Sequence, residues 1–139
     1  RLYQRGSDGV ARDEAKAVHL YQQAARQGDA TAMSNLGAHY AHGWGVEQDR
    51  EMAVRYYLQA ARKGNPAAMF NVAMALTNGQ GVERNLQAAF NWMTLSARFG
   101  ETEAIKALER SRETGKIPDT IYDHADQFAD EFIAEFRNR

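Results

Sequence analysis

Apolar residues along this chain fall in short stripes at helical spacing, and the stripes alternate between two kinds. In "DATAMSNLGAHYAHG", residues 29–43, Ala32, Met33, Leu36, Gly37 and Tyr40 recur at steps of three, four and eight, which predicts one face of a helix. In "DREMAVRYYLQAARKG", residues 49–64, Met52, Ala53, Tyr56, Tyr57, Ala60 and Ala61 predict another. We call these helix A and helix B.

The pair recurs. Gly28, Gly64 and Gly100 are 36 residues apart, as are Gly9, Gly45 and Gly81, each of the latter followed by valine. The same step joins Ala17, Ala53 and Ala89; Tyr21, Tyr57 and Met93; and Leu36, Val72 and Leu108. A fixed period of this size is the mark of a repeat array. Boundary chemistry agrees with the period. Asp13, Asp49 and Asn85 stand where an N-cap would open helix B, and Asp29 and Asn65 where one would open helix A. Pro66 falls at a first helical position, where a missing N–H costs nothing. Gly28, Gly64 and Gly100 follow the ends of helix B, where a left-handed residue closes a helix. The pairs Ala24-Ala25 and Ala60-Ala61 leave little volume between neighbouring helices. A lone pair of such helices cannot bury its apolar face, so the predicted fold is an all-α solenoid of stacked antiparallel pairs.

The string running from Ala32 through Leu36-Gly37, Tyr40, Gly43-x-Gly45-Val46, Asp49, Ala53, Tyr57 and Ala60-Ala61 to Gly64 resembles the SEL-like repeat, a relative of the tetratricopeptide repeat. The resemblance implies a right-handed superhelix. It covers residues 30–65 and 66–101 as repeats and 1–29 as the back half of another. The second repeat departs with Val72-Ala73 for Leu-Gly and Met93 for Tyr, and the first loop, Gly6-Ser7-Asp8-Gly9, is one residue longer between its glycines. Leu2–Arg5 matches the end of a helix A, so further chain is expected upstream.

At the other end, Ala104, Ile105 and Leu108 begin a third helix A, but Gly115-Lys116-Ile117-Pro118 replaces the glycine-valine loop. Residues 102–118 thus read as a degenerate half repeat. Residues 119–139 place Ile121, Ala125, Phe128, Ala129, Phe132, Ile133 and Phe136 on one helical face. That helix is expected to cap the array, with docking onto a partner or a second copy of the chain as the alternative.

Composition narrows the function. The chain has 139 residues, 44% of them apolar, so it can bury a core. It has no cysteine, which removes disulfides, thiolate zinc sites and a cysteine nucleophile. Residues 1–118 carry 15 Lys/Arg and 12 Asp/Glu, and 119–139 carry six acids and two arginines. No clustered basic stripe exists to neutralise phosphates, so nucleic acid is not expected as a ligand. No apolar run approaches the roughly 20 residues that span a bilayer, so no membrane insertion is expected from these residues. The G-x-G spacing is neither a P-loop nor a dinucleotide fingerprint. His39 and His42 are three apart without a third ligand at metal spacing, and no serine sits in a nucleophile motif. No cofactor, metal or enzymatic activity is expected.

What remains is surface that repeat packing does not demand. In tetratricopeptide-like arrays helix A lines the concave groove, so the resemblance implies that Ser34, Phe70 and Lys106, and Ala38, Met74 and Arg110, face it. Phe70 and Met74 beside Lys106 and Arg110 suit an extended peptide with hydrophobic and acidic residues, or else Phe70 and Met74 fill a gap between helices. Asn35 and Asn71 are placed to hydrogen-bond a ligand backbone or to link repeats. Trp44 has Asp8 and Gln80 as its counterparts, so the repeat does not require an aromatic there. It either folds back on its own loop or makes contacts. The resemblance implies a non-enzymatic scaffold or adaptor for a protein or peptide, in a bacterial signalling or envelope complex. The alternative is an envelope scaffold contacting polysaccharide or peptidoglycan, with Trp44 stacking on sugar rings. Periplasm and cytoplasm both stay open.

Overall fold

A computed structural model describes residues 8–139. Among them the chain forms seven helices and no strand: α1 (Asp8–Arg26), α2 (Ala30–His42), α3 (Arg50–Arg62), α4 (Pro66–Asn78), α5 (Leu86–Arg98), α6 (Thr102–Thr114) and α7 (Asp119–Arg137). α2, α4 and α6 are the A helices, and α1, α3 and α5 the B helices. α1 to α6 pack on their sequence neighbours, which makes the array a solenoid, and α7 packs on α5.

Four capping side chains repeat one geometry. Asp29, Asp49, Asn65 and Asn85 each accept the backbone N–H three residues on, at 2.9 to 3.0 Å. Each bond satisfies a donor that the helix start leaves open and stabilises by about 1 kcal/mol. The A-to-B loops are shaped by close approach as much as by turn preference. A Cβ on Gly45 would lie 2.5 Å from the Glu14 carbonyl, and one on Gly81 would press on the Arg50 carbonyl. Each loop glycine therefore sits against the N-terminal part of the preceding B helix.

One expected boundary is corrected. α1 starts at Asp8, so Gly9 and Val10 are helical and Asp13 lies inside the helix instead of capping it. Ala11, Glu14, Ala15 and Lys16 are good helix formers, and the helix runs through them without a break at Asp13. The expectations for Leu2–Arg5, and for Gly6 and Ser7 in the first loop, lie outside the described residues.

The core is built from small residues and a few large ones. Ala60, Ala61, Ala68 and Ala73 are fully buried, with Leu36, Met69 and Leu95 filling the space between them. Buried Ser96 donates to the Pro66 carbonyl at 2.8 Å, so its hydroxyl is satisfied. The two complete repeats differ in a coupled way. A Cβ on Gly37 would lie 2.6 Å from the Tyr57 ring, whereas Ala73 packs with the flexible Met93.

α7 is the departure from the period. It runs parallel to α5, with Ala125 and Ala129 fully buried, while α6 buries only Ala104. Phe128 and Phe132 meet Trp92 edge-on at 5.4 and 6.1 Å, and Phe132 and Phe136 meet Phe99. The Phe136 ring reaches Gly64 at the end of α3. Tyr122, absent from the expected stripe, is buried: its ring packs on Phe90 and its hydroxyl lies 2.8 Å from that of Ser111. Arg98 pairs with Asp130 and, at 3.2 Å, with Asp126. Asp130 first, and then Asp126, hold that guanidinium above the usual arginine range. The pairs are solvent-screened and stabilise by under about 1 kcal/mol.

Candidate binding clefts

Two clefts open where the C-terminal half of an A helix meets the N-terminal half of a B helix. The first, about 240 Å³, lies between α2, α3 and α4. Arg50, Val54 and Tyr57 of α3 form its wall, Asn71 and Met74 of α4 face them, and His42, Gln48 and Gln80 rim it. The second, about 200 Å³, is bounded by Met74 and Thr77 of α4, Leu86, Phe90 and Met93 of α5, and Ala107 and Leu108 of α6.

The clefts are repeat copies of one another. A 36-residue step carries Arg50 to Leu86, Val54 to Phe90, Tyr57 to Met93 and Asn71 to Ala107. Each substitution exchanges a polar or smaller group for an apolar one, so the first cleft is polar-rimmed and the second is mainly apolar, the Thr77 hydroxyl there donating to the Ala73 carbonyl. Met74 lines both. The loops are pinned beside them in matching fashion: Gln48 donates to the Ala41 carbonyl at 2.8 Å, and Arg84 donates to the Thr77 carbonyl at 3.1 Å. Arg50 and Leu86 are the first residues of their helices and project from the helix start. Leu86 is 49% exposed, large for a leucine with no covering neighbour. Burial pushes the Tyr57 phenol above its ordinary pKa.

The structure brings Asn71 and Met74 into the clefts and separates the other sequence candidates from them. Phe70 is half-buried and packs on the cluster of Ala73, Met93 and Ala104. Ser34, Asn35 and Ala38 are half-buried on α2, Lys106 and Arg110 are exposed on α6, and none of these five lines either cleft. Trp44 is half-buried and stacks on His42 at 4.3 Å, with His39 edge-on at 5.6 Å. It thereby supports a residue of the first cleft. His39 in turn donates from Nδ1 to the Asn35 carbonyl at 2.8 Å. Among the described residues no three His, Asp or Glu side chains converge as a metal site would require. The B-helix residues Arg50, Leu86 and Phe90 escaped sequence reasoning. Their signal was the column Glu14, Arg50, Leu86, in which an apolar side chain replaces charge at a helix start.

An array of stacked antiparallel helix pairs with recurring surface clefts defines a helical-repeat solenoid. The sequence matches the Sel1 repeat over residues 1–29, 30–65 and 66–98, and the chain belongs to that family. No curated protein matches it. Two solved structures are similar. One is a protective antigen of uropathogenic Escherichia coli strains with an SLR fold (TM-score 0.77, 25% identity, 88% of this chain and 26% of that one). The other is a Sel1 repeat protein from Oxalobacter formigenes (TM-score 0.70, 30% identity, 88% of this chain and 49% of that one). The chain thus spans about a quarter and a half of their lengths. Sel1 repeat proteins generally mediate protein–protein interaction, and the fold is typically a non-enzymatic scaffold. Among the described residues no helix is long and apolar enough to cross a membrane.

Proposed function

We propose that the two clefts form one track for an extended peptide segment of a partner protein. The observation that carries this is Met74, which lines both clefts and so joins a polar-rimmed site to an apolar one. The second cleft takes an aliphatic or aromatic side chain against Leu86 and Phe90. The first takes a polar or acidic side chain within reach of Arg50 and Asn71. Trp44 acts on this track by holding His42. Ser34, Asn35, Ala38 and Phe70 continue the A-helix surface beside it, and Lys106 and Arg110 add positive charge on α6. A rigid array binds such a segment without ordering itself first, which limits the entropy lost on association.

Selection from a displayed random-peptide library tests this reading. Enriched peptides are expected to pair an apolar residue with an acidic one at a constant interval. Met74→Asp or Leu86→Glu, both at exposed positions, should weaken them at least tenfold, and Arg50→Glu should select against the acidic residue. Peptides that bind all three variants as well as the parent would sink the proposal, as would a library with no enrichment.

A further inference from the structure

The B-helix side carries a different recess. The phenylalanines of α7 sit over the furrow between α3 and α5, and the 36-residue step places an equivalent furrow between α1 and α3. That furrow is open, about 250 Å³ in volume, and lined by Gln22, Ala25 and Arg26 of α1 and Tyr56 and Gln59 of α3. One repeat further on, the same positions are Leu58, Ala61, Arg62, Trp92 and Leu95. There α7 covers them. Leu58, Ala61 and Leu95 share a cluster with Ala129, Phe132 and Ile133, Trp92 meets Phe128 and Phe132, and the Arg62 carbonyl accepts from Arg139 at 2.6 Å.

The open furrow matches the covered one in charge and differs in polarity. In the open furrow Arg62 of α3 stands where Arg98 of α5 stands in the covered one, and the Arg98 guanidinium holds Asp126 and Asp130, four residues apart on α7. Residues 15–28 and 52–64 contain no acid, while Arg26, Arg55, Arg62 and Lys63 leave this region cationic. The Lys63 ammonium lies beside Gly28, at the end of α1. The Tyr56 ring is held in place by stacking on Tyr40 at 5.7 Å. Gln22 and Gln59, however, stand where the α7 furrow has leucines. A row of three phenylalanines would strip water from both amides without replacing their hydrogen bonds.

We propose that the furrow between α1 and α3 docks an acidic amphipathic helix from a partner protein. Two carboxylates four residues apart straddle Arg62, an apolar side chain rests on Ala25 and Tyr56, and polar side chains meet Gln22 and Gln59. The mode is the one α7 uses within the molecule, with the apolar share reduced to suit the lining. This surface is independent of the peptide track on the A-helix side.

Fluorescence anisotropy on the full chain tests it. The probe is a labelled synthetic peptide of residues 119–139 carrying Phe128→Gln and Phe132→Gln. Saturable binding is expected, weakened at least tenfold by Arg62→Glu on the chain. Arg62 is exposed, so the variant should keep the parent's circular dichroism and Tm. A second peptide with Asp126→Lys and Asp130→Lys should recover the affinity on Arg62→Glu. Absence of saturable binding overturns the proposal, as does affinity indifferent to Arg62→Glu. Loss on Arg98→Glu instead overturns it too, because the peptide would then be displacing α7 within the molecule. So does tighter, Arg62-independent binding of the unmodified 119–139 peptide, which marks exchange of α7 between copies.

Discussion

Gly37 shows how much a single hydrogen can decide. Glycine inside a helix forfeits roughly 0.5–1 kcal/mol relative to alanine, yet the Tyr57 ring occupies the place a Cβ would take. In the next repeat Ala73 coexists with Met93, whose side chain bends out of the way. Gly37→Ala should therefore destabilise the chain by about 2 kcal/mol, the overpacking penalty outweighing the helix-propensity gain. In a Tyr57→Met background the same change should become neutral or stabilising. A urea-unfolding double-mutant cycle measures the coupling; equal effects of Gly37→Ala in both backgrounds would refute it. The sequence shows Leu36-Gly37 with Tyr57 and Val72-Ala73 with Met93, but as separate columns. That the glycine and the tyrosine touch is a fact about two helices.

At the scale of elements, α7 is the piece whose role depends on where it lies. Its amphipathic stripe and the missing glycine-valine loop are readable in residues 115–136, and the stripe does find an apolar surface. The surface is the outer side of α5, and α6 keeps an open flank: Ile105 and Glu109 are exposed where Met33 and Met69, and Gly37 and Ala73, are buried. Glu109 is the trace of this in the sequence, a charge in a column that otherwise packs on the following B helix. Removing residues 119–139 should uncover Trp92, Phe99 and Leu58 together, and light scattering should register aggregation. Phe132→Ala, milder, should cost about 2 kcal/mol, below the full-burial figure because its ring is half-exposed. A truncated chain that stays monodisperse with an unchanged melt would show that α7 adds no cover.

For the whole molecule, stability in a solenoid is a sum over neighbours, so a thinly covered helix opens before a well-buried one. α6 buries one residue, Ala104, against four in α2 and six in α4. Hydrogen exchange read by mass spectrometry should find amides of 102–114 exchanging faster than those of 66–78, by about 2 kcal/mol in opening free energy. Equal protection of the two helices would mean that the array unfolds only as one unit. The same uneven cover arranges the surfaces: clefts on the A-helix side where B-helix starts project, and furrows on the B-helix side, one filled by α7 and one open.

The sequence by itself determined the period, the all-α class, the helix starts at Asp29, Asp49, Asn65 and Asn85, and the architectural use of the loop glycines. Those properties belong to one chain segment at a time: a side-chain oxygen caps its own helix, and an apolar stripe follows from 3.6 residues per turn. Tertiary structure decided that Gly9 and Asp13 are helical, that α7 lies along α5, and that Arg50, Leu86 and Phe90 line the clefts while Lys106 and Arg110 stand apart. Each of these depends on the distance between helices, which is set by the side-chain volumes of two elements at their meeting point. The column Glu14, Arg50, Leu86 identifies a variable position in every repeat, and only the packed array turns it into the wall of a cleft.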